Sequence, residues 1–179
     1  MEILIVRHGK TDWNIQKKLQ GRVDIELNEI GKVQARETAQ LLENENIDLI
    51  ISSPLKRAIQ TAEIINESRN IPVIIDERIA ERNFGVYEGR DVTTFDFNEF
   101  WSFKYPKDFE GAETLDDFFE RVYTFLDELK EKYKDKRILL VTHGGVSIPV
   151  NCYFNGIPDE DNIFFLCMNN CEVVKFKNE

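Results

Sequence analysis

Short apolar runs alternate with segments of helical periodicity along this chain, and that alternation restricts it to an α/β fold with a largely parallel sheet. Strands are expected at residues 3–6, 49–52, 73–75, 138–142, 163–168 and 172–176. The last two flank Asn169 and Asn170. Because asparagine tolerates positive φ, a tight antiparallel hairpin is expected there, which makes the sheet mixed. The clearest helix covers residues 114–133, where Leu115, Phe118, Phe119, Val122, Leu126, Leu129 and Tyr133 fall on one stripe. Thr114 can cap it, Asn28 can cap a helix reaching residue 42, and Pro54 marks the start of a helix reaching residue 68. Residues 92–111 fit neither period and read as a loop or broken-helix insertion.

A chain of 179 residues fits a single domain with one substantial core, interrupted by that insertion. Its net charge of -10 argues against nucleic acid or an anionic membrane as partner, since both require a basic face. An anionic substrate must therefore find a local positive pocket. The first apolar run is too short for a signal sequence or a membrane span. Cys152, Cys167 and Cys171 make an odd count without a disulfide framework. Both points lead to a cytoplasmic expectation.

The chain has two histidines, and each follows an apolar run: "ILIVRHG" ends at His8 and "ILLVTHGG" at His143. In an open parallel sheet ligands bind beyond the carboxyl ends of the strands, so residues distant in sequence can meet there. "SSPLKRAIQTA" places Arg57 in the first turn of a helix after a strand, and "IAERNFG" places Glu81 in a loop after another. Each residue alone has an ordinary structural explanation, but as a set they are chemically coherent. Arg7 and Arg57 can grip phosphate oxygens through planar forks. Gly9, Gly144 and Gly145 permit close backbone approach, and the helix opened by "HGGVSIPV" favours an anion at its N-terminus. Two nearby guanidiniums keep an imidazole neutral and nucleophilic, and Glu81 can donate and accept the proton that phosphoryl transfer requires.

The ordered motifs "RHGKTDWN", "LQGRVDIELNEIGKVQA", "SSPLKRAIQTA", "ERNFGVYEG", "GAETLDDFFERV" and "LLVTHGG" resemble the histidine phosphatase superfamily, which includes the cofactor-dependent phosphoglycerate mutases. The resemblance implies a three-layer α/β/α sandwich around a mixed, mostly parallel sheet. It implies that His8 becomes a phosphohistidine, with Arg7, Arg57 and His143 around the phosphoryl oxygens and Glu81 as general acid and base. Asn14, Gln20, Gly21 and Gly144 would complete the phosphate pocket. No metal or cofactor is implied, since guanidiniums and histidine supply the positive field. Lys10 departs from the acid or amide common at its position.

Mutases of this family carry adjacent arginines in the insertion, whereas this one offers Arg90, Lys104 and Lys107, and they often read "GW" where Gly21 and Arg22 stand. A phosphatase acting on a small phosphomonoester is therefore expected ahead of a mutase. A phosphate-binding module without turnover is the alternative of another class. The insertion concentrates Phe95, Phe97, Phe100, Trp101, Phe103, Tyr105 and Phe109. It is expected either to form a satellite core or homodimer contact, or to act as a substrate lid through Trp101, Phe103 and Tyr105, with Glu113 at the border.

Overall fold

The computed structural model describes residues 1–177. Five strands form one sheet in the order β3-β2-β4-β1-β5: β1 (Glu2–Arg7), β2 (Leu49–Ser52), β3 (Val73–Ile75), β4 (Arg137–Thr142) and β5 (Val173–Lys177). All pairings are parallel except β1 with β5. Successive side chains leave a strand on opposite faces, and the core divides accordingly. Ile3, Ile5, Ile51, Ile138 and Leu140 face helices α4 (Leu115–Lys132) and α5 (Gly144–Asn155). Leu4, Val6, Ile50, Leu139 and Val141 face α2 (Glu29–Leu41) and α3 (Lys56–Asn66), reached through Leu42, Ala58, Ala62 and Ile65. The result is a three-layer sandwich. A four-residue helix, α1 (Asp12–Ile15), follows β1 directly.

Local chemistry sets the helix boundaries. The Thr114 hydroxyl accepts from the Asp117 amide, and the Asn28 side chain from the Gly31 amide, so both expected caps form. Helix α3 begins at Lys56, two residues beyond Pro54, without a side-chain cap.

The expected C-terminal hairpin does not form. In place of a strand at 163–168 there is a 3₁₀ turn at Phe164–Leu166, and β5 pairs with β1. Tertiary ties explain this. The Ile163 amide donates to the Trp101 carbonyl (3.2 Å), and the Asn162 side chain to the Asn98 carbonyl (3.0 Å), binding this segment to the insertion. Positive φ falls on Cys171 (60°), and the Cys171 amide donates to the Arg7 carbonyl. Cys167 and Cys171 therefore do not face each other across a hairpin.

The insertion contains two 3₁₀ helices, Val92–Thr94 and Phe97–Trp101. Phe100 and Trp101 are each 1% exposed and belong to the α4/α5 core, and Phe100 stacks on Phe109 at 3.7 Å. Arg82 is buried beneath them, donating to the Glu113 and Phe100 carbonyls with Phe84, Phe100 and Trp101 around its guanidinium. The aromatic segment is thus an extension of the main core, tied down by a buried cation.

Candidate active site

The sheet ladder continues one residue past β1: the His8 amide donates to the Thr142 carbonyl at 2.8 Å. Thr61 Oγ1 accepts from the Gly9 amide (3.1 Å), and Asn170 Nδ2 donates to the His8 carbonyl (2.9 Å). The backbone around His8 is therefore held from three sides. Its ring is buried, with Nδ1 2.7 Å from the Gly9 carbonyl. A carbonyl can only accept, so Nδ1 carries the hydrogen and Nε2 the lone pair. Burial, then the charges of Arg57 and Arg7, hold this imidazole well below the usual histidine range.

His143 is fully buried at the N-cap of α5, its ring centroid 5.2 Å from that of His8 at 60°. Its Nε2 lies 2.6 Å from Ser53 Oγ, which itself accepts from the Leu55 amide. Nδ1 of the same ring is a buried atom without a protein partner. Burial and the cations Arg57, His8 when charged, Arg7 and Arg22 depress this ring as well.

Arg57, the second residue of α3, is fully buried. Its Nε donates to His8 Nε2 (3.2 Å), Nη1 to the Val23 carbonyl (2.8 Å) and Nη2 to the Gly21 carbonyl (2.7 Å). Three of its five donors are thus occupied. Burial pulls its pKa down to about 10, which leaves it a cation at neutral pH. Arg7 places Nη1 on the Met168 carbonyl (2.6 Å) and 3.8 Å from Cys167 Sγ, while its buried Nε has no partner. Arg7 Nε, a buried donor beside the cleft, suits an anion as acceptor.

Glu81 follows β3 and a 3₁₀ turn at Glu77–Ile79. Its carboxylate accepts from the Gly145 amide (3.1 Å) and the Arg82 amide (2.9 Å). Arg121 donates to the Glu81 carbonyl and to both oxygens of Glu113, so α4 fixes the loop from outside the sheet. Gly144 and Gly145 are needed for this closeness. A Cβ on Gly144 would lie 2.7 Å from Cys167 Sγ and 3.0 Å from the Arg7 guanidinium, and one on Gly145 2.2 Å from Glu81 Oε1.

These groups meet in a cleft of about 250 Å³ that Arg7, His8, Asn14, Gln20, Gly21, Arg57, Glu81, Gly144 and Gly145 all line. His143 sits behind His8. The Thr11 hydroxyl lies 3.1 Å from both Asn14 Oδ1 and Gln20 Oε1, with one hydrogen to give to either, and the Thr11 and Asn14 amides bond to each other's side chains, fixing the turn after β1. Of the residues expected on the insertion side, Trp101 lines the cleft, joined by Phe97 and Phe164. The other three lie elsewhere. Phe103 packs on Phe119, Tyr105 is 74% exposed, and Glu113 is paired with Arg121. Sequence reasoning missed Thr61, Asn170, Ser53 and Arg121. Ser53, Thr61 and Arg121 lie inside the quoted motifs and Asn170 in the expected turn, but only the fold shows what each of them touches.

A three-layer sandwich with two histidines and two arginines gathered at its strand ends defines a phosphoglycerate mutase-like protein. The family model of the histidine phosphatase superfamily (branch 1) matches residues 3–179, and the chain belongs to that superfamily. It is 35% identical over 179 residues to the uncharacterized phosphatase PhoE of Bacillus subtilis (strain 168), covering 98% of this chain and 90% of that protein. It is 40% identical over 154 residues to phosphoglycerate mutase-like protein 4 of Arabidopsis thaliana, covering 81% and 67%. The crystal structure of phosphoserine phosphatase from Entamoeba histolytica in complex with 3-phosphoglyceric acid superposes with a TM-score of 0.84 at 29% identity, covering 98% and 90%.

Proposed function

We propose that the protein hydrolyses a small phosphomonoester through a phosphohistidine on His8. The observation that carries this reading is the 2.7 Å contact between His8 Nδ1 and the Gly9 carbonyl, which leaves a neutral Nε2 lone pair inside a cationic pocket. Nε2 attacks phosphorus, the ester P–O bond breaks, and its electron pair leaves with the alkoxide oxygen. Glu81 gives that oxygen a proton. The carboxylate so formed takes a proton from water, the water oxygen attacks phosphorus, and the P–N bond breaks to release inorganic phosphate. Arg7, Arg57, His143 and the α5 amides stabilise the charge on the transferring group, a role that metal ions fill in other phosphoryl-transfer sites. Phosphatase is favoured over mutase because, among the described residues, the insertion contributes no cation to the cleft lining.

Single-turnover labelling tests this. The protein is mixed with a ³²P-labelled aryl phosphate in the presence of a chelator and quenched in alkali. Alkali-stable, acid-labile label that is absent from His8→Ala is expected, with water as final acceptor. Neither label nor turnover across a panel of esters would replace the reading with that of a binding module.

A further inference from the structure

The cleft lining is of two kinds. Phe84, Val92, Phe97, Trp101 and Phe164 make it apolar, while the turn after α1 adds Trp13, Lys17 and Lys18 beside Val92. This turn is well fixed. Lys17 adopts φ 54°, its carbonyl accepts from the Val92 amide (2.9 Å), and the Leu19 amide donates to the Arg90 carbonyl (2.9 Å). The Lys18 ammonium lies 5.6 Å from the centre of the Trp13 ring. Among the described residues neither lysine reaches a carboxylate within ion-pair distance. Asp91 lies within the field of Lys17, but one of its carboxylate oxygens is occupied by the Thr93 amide and hydroxyl.

Arg7, Arg57 and the start of α5 line the cleft for the phosphoryl group, and among the described residues Glu81 is the only acid lining it. Two further cations at the mouth, on a chain of net charge -10, exceed what one phosphate needs. Building on the phosphatase reading, we infer that the substrate carries a second anionic group, carboxylate or phosphate, which Lys17 and Lys18 hold while Phe97, Trp101 and Phe164 cover a short linker.

Calorimetry with non-hydrolysable phosphonates tests the inference without requiring turnover. The probes are 4-phosphonobutanoate, propane-1,3-diylbisphosphonate and 4-hydroxybutylphosphonate, the counterpart that lacks the second anionic group. At least one doubly anionic probe should bind about tenfold more tightly than the alcohol, a difference of about 1.4 kcal/mol. Which of the two binds better identifies the second group. In the double variant Lys17→Gln, Lys18→Gln that gap should close to within about twofold, and salt should narrow it in the wild type. Absence of a gap, a gap that survives the double variant, or equal weakening of all three probes overturns the inference; the last result would mean general steering only. The two readings separate cleanly. Preference without a His8 phosphoenzyme retains the subsite and removes the phosphatase, and turnover without preference does the reverse.

Discussion

Arg57 donates its Nε hydrogen to His8 Nε2 across 3.2 Å, so the guanidinium covers the lone pair that has to attack phosphorus. Its other donors hold the Gly21 and Val23 carbonyls, and one side chain thereby connects the nucleophile to the turn before α2. An incoming phosphoryl group must draw Nε away from the ring and replace it with its own oxygens. Arg57→Lys keeps the charge but loses the fork. We expect kcat/KM to fall about 10²- to 10³-fold. Stability should fall by about 1–3 kcal/mol as the buried carbonyls lose their donors. Steady-state kinetics and denaturant titration check both, and a variant within threefold of wild type would remove Arg57 from the mechanism.

Both histidines are held well below the usual value of 6.5, in each case mainly by burial and then by neighbouring cations. A native imidazole that resists protonation contributes no instability above the unfolded value. As pH falls below about 6.5 the unfolded chain binds protons that the native chain refuses, so stability declines from there down to the native pKa values. With only two histidines, ¹⁵N spectra can be assigned without ambiguity. At about pH 6 both rings should be neutral, with the His8 proton on Nδ1. An imidazolium signal from either ring at that pH would contradict the account of the nucleophile.

The layered architecture and the strand-end cluster were legible because both are periodic or local. Apolar runs mark β1, β2 and β4, and the residues that follow β1 and β4 must lie at one edge. The 163–168 segment misled because an apolar run carries no record of what covers it. Its fate is decided by Asn98 and Trp101. Likewise Asn169 and Asn170 carry turn chemistry, yet Cys171 takes the positive φ, with its amide bonded to the Arg7 carbonyl. Glu113 illustrates the same limit. Its acid is evident in "GAET", but its partner Arg121 lies one face of α4 away, and only the folded pair shows that it braces the Glu81 loop.

The aromatic insertion should respond to mutation as core at some positions and as surface at others. Phe100 is 1% exposed, stacked on Phe109 and part of the main apolar cluster, so Phe100→Ala should cost about 3–5 kcal/mol. Tyr105, 74% exposed, should tolerate alanine within about 0.5 kcal/mol. Trp101 both packs against Phe118 and lines the cleft, so Trp101→Phe should retain most of the stability while raising KM. Urea denaturation and kinetics on bulky and small esters separate these outcomes. Equal, small losses at Phe100 and Tyr105 would show a detached lid rather than a core.

Gly145 offers the sharpest separation of stability from chemistry. Its amide donates to Glu81 Oε2, and a Cβ there would lie 2.2 Å from Glu81 Oε1 and 3.0 Å from Trp101. The obstructed atoms are mainly the free end of a side chain, so Glu81 can swing aside with little damage to packing. Alanine also favours the helix over glycine by about 0.5–1 kcal/mol, which offsets part of any strain. Gly145→Ala should therefore fold with a melting temperature near wild type but without a positioned acid. An aryl phosphate has a leaving group that departs without protonation, whereas an alkyl phosphate does not. Phosphorylation by the aryl ester should then remain fast while hydrolysis of the phosphohistidine slows about 10²-fold, so that label accumulates on His8. With the alkyl ester both steps should slow and no label should build up. Equal loss on the two esters, with no accumulation on either, would mean that Glu81 does not carry the proton.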